Sequence, residues 1–589
     1  LQFAAMEAAA EQLPAPRDRL RADALAKAAA AGVLVLTAIL FFARIGARAL
    51  WASEFRWAEI AREMQITGNY LWPTINGRLY YDKPLLSYWM VLGAARLTGS
   101  LNEAATRIPC AAAGVLGVAI LILLARRLYD WRTGVIAGFV LATSMSFVFF
   151  SRLASADVDT ITGELAALLL FVANLERPDG WWVVALWVVM AITSLTKGLL
   201  GFVLPLLVIG GYSCLKAGWG EAWDHLAKGA LGRRVGWLIE RNRWLFNWRS
   251  VPAIGLAAAL YFLPFALSSH RMRSDAGLYM VYRENVVRFL HPFDHRGPIY
   301  LYVFEIFVLM APWSALLPAA LAQAHRRDRP TVDREGIDRF AMFYFWGTFI
   351  FFTLSGSRRS YYILPILPAG ALLVARLLAQ PATGLPRLAK RLLAVGHLAL
   401  AVVVVAAAAL LIAPSMRPGP WRTYPPTPAL AAFAVLWVVS LAAIGYGLVR
   451  TEPRRIAVSV GIVAYLSMTY LYLFAMPAAE AYRGEKPFAI ESRNELRGQF
   501  GELGLFRTRG PLFYLNPPHP LQEYDEPVAL RKAVENGKIT WLILRRRDLP
   551  ALGLASTTVA REATFPWEDA RNIRNKEIMV RVGPGSARR

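Results

Sequence analysis

Apolar residues are not spread evenly along this 589-residue chain. They gather into runs of about 18–23, separated by short charged connections. A helix rises about 1.5 Å per residue, so a run of that length crosses a bilayer core of roughly 30 Å. The pattern predicts thirteen spans, at 26–43, 109–126, 133–150, 158–175, 180–196, 198–215, 251–269, 299–321, 338–355, 360–378, 393–413, 428–449 and 455–476. The expected fold class is therefore mainly α, a polytopic bundle of membrane helices.

Three stretches break the pattern. The connections 44–108 and 270–298 are long, and residues 477–589 are charged and turn-rich. In the first, Trp57, Ile60, Ala61 and Met64 follow helical spacing, with Arg56, Glu59 and Glu63 elsewhere around the wheel. That spacing predicts an amphipathic helix lying in the membrane interface, or else one packed over the bundle. Pro84–Ala95 is a second candidate of this kind. The last stretch reads as a small α/β domain, with turn residues Asn516-Pro517-Pro518 and β-like runs at Gly510–Leu515, Ile539–Leu544 and Glu577–Val582. The expected division is 1–476 for the membrane domain and 477–589 for the soluble one, with the two long loops covering a site.

Charge sets the expected orientation. Lys and Arg concentrate in alternate connections, among them Arg126, Arg127 and Arg132, then Arg326, Arg327 and Arg329, then Arg387, Lys390 and Arg391. By the positive-inside rule these face the cytoplasm. The N-terminus is then cytoplasmic and the tail lies outside, which in a Gram-negative cell is the periplasm. Arg17, Arg19, Arg21 and Lys27 lead straight into the first span, which is expected to stay as an uncleaved anchor. The net charge of +24 does not point to nucleic acid, because the basic residues sit in membrane connections. Cys110 and Cys214 both lie in apolar runs, which argues against a disulfide framework or a cysteine metal site.

Charges on the outer side are what the orientation rule leaves unexplained, and charge near membrane depth usually marks function. Six groups stand out: Ser53–Met64 with Glu54 and Arg56; Tyr80–Trp89 with Tyr81, Asp82 and Lys83; Arg152–Asp159 with Asp157 and Asp159; Ser194–Gly198 with Lys197; Arg283–Pro298 with Glu284, Arg288, His291, Asp294 and His295; and Ser357–Tyr362 with Arg358, Arg359 and Tyr361. Each has a plain structural reading as well. Ser53 and Glu54 suit a helix start, Lys83 a snorkelling anchor, and Lys197 a helix C-terminus. Asp157 and Asp159, at i and i+2, point different ways on a helix, so one cap cannot explain both. The His/Asp group admits a divalent cation, but its spacing defines no metal site and no ligand is assigned. Taken together, the groups place carboxylates and cations around one outer cavity suited to a lipid phosphate.

These pieces, in this order, resemble the polyprenyl-phosphate-dependent glycosyltransferases of the GT-C superfamily, in particular the lipid A aminoarabinose transferases and bacterial relatives of the protein O-mannosyltransferases. The resemblance is strongest over about 44–370 and rests on Glu54 with Arg56–Met64, Asp82-Lys83-Pro84, Thr196-Lys197-Gly198 and Tyr361–Pro368. It implies an inverting transferase that takes a sugar from undecaprenyl phosphate on the outer face of the membrane. Lys83 would hold the carrier phosphate, with Lys197, Arg358 and Arg359 as further phosphate partners. Glu54, Asp157 and Asp159 would be the catalytic carboxylates. Arg56, Tyr81, Asp82, Arg271, Glu284 and Tyr361 would complete the binding set. One position departs: where the family often has an Asp-Glu pair, this chain has Ser53-Glu54.

That departure bears on the acceptor. Transfer to a hydroxyl benefits from a general base, whereas a phosphate monoester is already ionised near neutral pH. Lipid A phosphate receiving 4-amino-4-deoxy-L-arabinose is the first expectation. Another sugar with a glycan, lipid or protein acceptor comes next, then a lipid-linked sugar flippase, then a membrane sensor. A transporter would show interrupted spans in paired halves and charges near mid-membrane.

Overall fold

The computed structural model describes residues 16–582 except 52, 178–179, 217–218, 229, 292–295, 326–336, 381–383, 413–434, most of 435–452, 481–482, 555–556 and 564–573. Each predicted span falls on helix, save 428–449, which lies largely outside the described residues. Among the described residues, five helices are by themselves long and apolar enough to cross a membrane, and up to eight if each bent pair is one span.

Two predicted straight spans are broken. Trp131–Ala142 bends by 68° into Met145–Ser151, and Leu301–Leu309 turns by 118° into Trp313–Ala324. The two breaks face each other. The Met145 amide donates to the Ala311 carbonyl at 2.9 Å, and the Trp313 indole N–H donates to Thr143 Oγ1 at 2.9 Å. Each break so supplies partners for polar groups that the other frees, which is the condition for irregular backbone at membrane depth. Close packing elsewhere depends on small residues. A Cβ on Gly117 of helix Glu103–Leu128 would sit 2.7 Å from Thr162 Oγ1 of the neighbouring helix Asp157–Ala173.

The tail carries a five-stranded mixed sheet. Its strands are β3 (Leu503–Phe506), β4 (Gln522–Tyr524), β5 (Trp541–Arg545), β6 (Thr557–Glu562) and β7 (Glu577–Val582), in the order β4-β3-β5-β7-β6. The β3–β4 and β3–β5 pairs are parallel, and β5–β7 and β6–β7 are antiparallel. The expected strand at Gly510–Leu515 is instead a turn of helix, Leu512–Leu515. Pro511 starts it with a helical φ, and Leu512 and Leu515, one turn apart, are both buried.

The expectation of an interfacial helix around Trp57 needs correcting. Helix Glu54–Thr67 is buried on nearly all sides. Its Trp57, Ile60, Ala61 and Met64 form one apolar core with Phe488, Leu505, Leu512, Leu515 and Met579 of the tail. The stripe that sequence periodicity would lay on lipid is covered by a sheet some 450 residues later. Behind it a short hairpin, β1 (Thr74–Ile75) and β2 (Arg78–Leu79), turns at Asn76-Gly77 with φ of 56° and 70°. Glu63 gathers the Thr74 hydroxyl and the Asn76 and Gly77 amides onto its carboxylate. Asn76 exchanges two hydrogen bonds with the Leu521 backbone, and Tyr514 donates to Glu103 while accepting from the Leu50 amide. The tail thereby clasps the connection 44–108.

Candidate active site

A cavity of about 860 Å³ lies among the connections 44–108 and 270–298 and the helix ends beside them. Its polar lining residues are Arg56, Asp82 and Lys83 from the first loop, Asp157 and Lys197 from two helix ends, Glu284 and Arg288 from the second loop, and Arg359. Its apolar ones include Phe149, Phe150, Leu200, Val203, Val286, Phe289, Leu290, Phe351 and Phe352. Leu290 among them is 61% exposed. The lining is amphiphilic.

Local structure sets each charged side chain. Asp82 is held between Arg56 Nη1 at 2.7 Å and Lys83 Nζ at 3.0 Å, and Arg56 also donates to the Tyr80 hydroxyl at 3.0 Å. Burial would raise the Asp82 carboxyl, but the Lys83 and Arg56 charges outweigh it and hold it below the usual range. Asp157 sits in the first turn of its helix, where the dipole favours an anion, and Lys197 in the last turn of Trp182–Lys197, where it favours a cation. The two side chains form an ion pair. Lys197 also lies 5.7 Å from the centre of the Tyr362 ring.

The turn after Lys197 is unusual. Gly198 has φ +111° and ψ −163°, a region open essentially to glycine, and a Cβ there would meet Asn285 Oδ1 at 2.6 Å. The close approach lets Asn285 Oδ1 accept the Leu199 amide at 2.8 Å. Asn285 lies in a π-helical turn, Arg283–Val287, that also presents Glu284 to the cavity. Glu284 pairs with Arg288. Burial, with Asp82 beside it, holds its carboxyl above the usual range despite Lys83 and Arg288.

Of the residues singled out in the sequence, the cavity brings together Arg56, Asp82, Lys83, Asp157, Lys197, Glu284, Arg359 and Tyr361. Five are placed elsewhere. Glu54 is fully buried and its oxygens are saturated: Arg107 Nε and Nη2 bind it at 2.8 Å each, and the Trp51 and Ala154 amides add 2.8 and 2.9 Å contacts. It ties the first loop to two other segments and does not line the cavity, contrary to the expectation of a catalytic carboxylate. Asp159 faces Cys110 Sγ, 3.6 Å away inside the bundle, as its i+2 offset from Asp157 requires. Tyr81 turns its hydroxyl to the Leu71 carbonyl at 3.3 Å and packs against Phe265. Arg271 is exposed at the end of helix Ser250–Met272. Arg358 donates to the Thr353 and Gly297 carbonyls at 3.1 and 2.9 Å, pinning the second loop.

Sequence reasoning missed Arg107. Its only signal is a charge two residues ahead of the predicted span at 109–126, and its partner is 53 positions away. It also missed Trp51, Phe149 and Phe150, whose aromatic character is ordinary for a membrane chain. Ser53, the departing position, does line the cavity and makes no cap hydrogen bond with its side chain. Residues 292–295, with Asp294 and His295, lie outside the described residues. Among the described residues, no group of three or more His, Cys, Asp or Glu is placed to hold a metal.

Comparison with known proteins adds to the geometry. Residues 82–227 match the family described as dolichyl-phosphate-mannose-protein mannosyltransferase. An undecaprenyl phosphate-alpha-4-amino-4-deoxy-L-arabinose arabinosyl transferase of Pseudomonas paraeruginosa is 28% identical over 94% of this chain and 98% of its own length. Its counterpart in Pseudomonas aeruginosa is 30% identical, and that match spans 59% of each chain. Two crystal structures of ArnT from Cupriavidus metallidurans superpose on this chain. The one bound to undecaprenyl phosphate has a TM-score of 0.66 at 21% identity, covering 93% of this chain and 97% of that one. The apo structure has a TM-score of 0.68 at 20% identity, covering 95% and 98%. The chain shares that fold.

Proposed function

We infer that this chain is a GT-C glycosyltransferase that moves a sugar from undecaprenyl phosphate, with 4-amino-4-deoxy-L-arabinose as the sugar and a lipid A phosphate as the acceptor. The observation that carries the reading is the mixed lining of the cavity. Lys83, Lys197, Arg56, Arg288 and Arg359 supply cations for a phosphate, and the aromatic and aliphatic residues beside them suit the first isoprene units of a polyprenyl chain.

In this reading Lys83 takes the carrier phosphate and Lys197 stabilises the charge that grows on it as the glycosidic bond breaks. The acceptor oxygen attacks the anomeric carbon from the opposite face, so the configuration inverts. The acidic side chains that line the cavity support a phosphate acceptor. Asp82, Asp157 and Glu284 are each paired to a cation, and Asp82, held below the usual carboxyl range by Lys83 and Arg56, is a weak general base. Ser53 in the wall supplies no carboxylate either. An acceptor that arrives ionised needs no base. A hydroxyl acceptor would need a base freed from its partner, Asp157 from Lys197 or Glu284 from Arg288.

We place residues 1–476 as the catalytic membrane domain and 477–589 as the outer domain, in the bacterial inner membrane, with the N-terminus cytoplasmic and the cavity and tail on the periplasmic face. The test is incubation of the purified protein with undecaprenyl-phosphate aminoarabinose and lipid A, followed by mass spectrometry of the lipids. The expected result is an aminoarabinose mass gain on lipid A that is lost in Lys83→Ala. Transfer to a hydroxyl of another acceptor, with none to lipid A, would overturn the acceptor and keep the donor. No transfer and no undecaprenyl phosphate binding would overturn the reading.

A further inference from the structure

The connection between helices Leu200–Leu215 and Ser250–Met272 takes no part in the cavity. Leu200 and Val203 line the cavity, so the first of these helices starts there and runs away from it. The second returns toward Arg283–Leu290, which line the cavity again. The described residues of 216–249 therefore lie at the far end of both helices, on the opposite membrane face.

Within this connection, helices Trp219–Leu226 and Leu231–Arg241 pack on each other. The His225 ring stacks on the Trp237 indole at 5.4 Å and 13°, and Glu221 pairs with Arg241. That contact uses only one side of the second helix. On another side Leu231, Val235 and Ile239, spaced i, i+4 and i+8, form an exposed apolar stripe, with Leu231 77% exposed. Trp223 of the first helix is 66% exposed. A stripe of that spacing ordinarily faces a core, and among the described residues no protein core covers this one.

The charge beside the stripe is strongly basic. Lys216, Lys228, Arg233, Arg234, Arg241, Arg243 and Arg249 stand against Glu221, Asp224 and Glu240, and two of those acids are already paired with Arg241 and Lys228. Depth is marked independently. Arg249 lies over the Trp181 and Trp248 rings at 5.5 and 5.0 Å, and these two exposed tryptophans meet edge to face at 5.4 Å. Exposed tryptophans with arginine are typical of the headgroup level. Val251, two residues on in the first turn of helix Ser250–Met272, is 73% exposed.

We propose that residues 216–249 form an interfacial foot that binds anionic phospholipid headgroups on the membrane face opposite the cavity, with the Leu231–Val235–Ile239 stripe seated among the acyl chains. A basic helix pair with one apolar face meets such a surface with both attractions at once. The inference rests on the chain being embedded in a membrane and is independent of the sugar it handles.

The test uses the full chain. Detergent-purified protein is equilibrated with equal amounts of phosphatidylglycerol and phosphatidylcholine and weighed by native mass spectrometry. The expected result is preferential retention of phosphatidylglycerol, reduced about tenfold in Arg233→Glu/Arg234→Glu. Equal retention of the two lipids by the parent protein, or an unchanged preference in the variant, would overturn the proposal. A nitroxide on Val235→Cys, in a Cys214→Ser background reconstituted into bilayers, gives a reading free of the charge reversal. It is expected to be reached by oxygen and shielded from an aqueous nickel chelate, and free access of the chelate would also overturn the proposal.

Discussion

Asn285 reaches across from the connection 270–298 to the Leu199 amide, 2.8 Å away, and so holds the turn that carries Lys197. Its own amide donates to the Val281 carbonyl at 2.7 Å, which fixes the direction of the side chain. The approach needs Gly198, because no Cβ fits between them. Lys197 is thereby held from two sides, by Asp157 in the cavity wall and by a clamped backbone behind it.

Asn285→Ala is therefore expected to lower kcat about 5- to 10-fold, the effect of losing one buried hydrogen bond that positions Lys197, with a smaller change in the KM for the lipid-phosphate donor. Asn285→Asp keeps the acceptor oxygen and is expected to recover part of the loss. Steady-state kinetics with varied donor check this. An unchanged kcat in the alanine variant would separate Lys197 from the loop.

Lys83→Ala is expected to lower transfer by about 10²–10³-fold, the usual effect of removing one group that stabilises developing charge. Protein yield and thermal unfolding are expected to stay near the parent values, since Lys83 contacts only its neighbour Asp82 among the contacts described. Product quantitation beside a melting curve measures both. Near-normal turnover would remove Lys83 from the reaction.

Glu54 and Arg107 make the opposite forecast. Their side chains are 1% and 5% exposed, and breaking a buried pair of this kind typically costs about 3–5 kcal/mol. Arg107→Ala is expected to lower the Tm steeply. Glu54→Gln is expected to lose folded protein, yet to keep activity per folded molecule. A catalytic Glu54 would instead give a folded, inactive protein, and active-site titration tells the two apart.

The tail has its own pH signature. Burial pushes the Glu577 carboxyl up to about 7, although Thr508 donates to it at 2.7 Å. A carboxyl raised in the folded state favours folding below its unfolded value near 4.5, and that contribution is lost as pH rises through about 7. Glu577→Gln is therefore expected to be the more stable protein at pH 8, by about 3 kcal/mol, with the difference vanishing near pH 4. Melting curves at the two pH values measure it. A constant difference would rule out the titration of Glu577.

Much of the bundle is legible in the chain itself. Runs of apolar residues must bury their backbone hydrogen bonds in helices wherever lipid replaces water, so length and hydropathy place the helices without any partner being known. The same economy made charge legible: Lys83, Asp157 and Lys197 stand out because an ionised group near membrane depth needs a reason, and all three line the cavity. What periodicity could not tell was the covering of each face. The stripe of Trp57 and Ile60 reads alike whether lipid or protein lies on it, and only the folded tail decides for protein. Likewise Glu54 and Asp157 are both acidic residues in the first turn of a helix by sequence. Arg107, 53 residues from Glu54, makes one a structural anchor, while the other is left facing the cavity. Contacts between residues so far apart in the chain leave no local pattern, because each partner's own neighbourhood is satisfied without reference to the other. The bends at Ala142 and Leu309 belong to the same class, since each exists by virtue of the hydrogen bonds that the other completes.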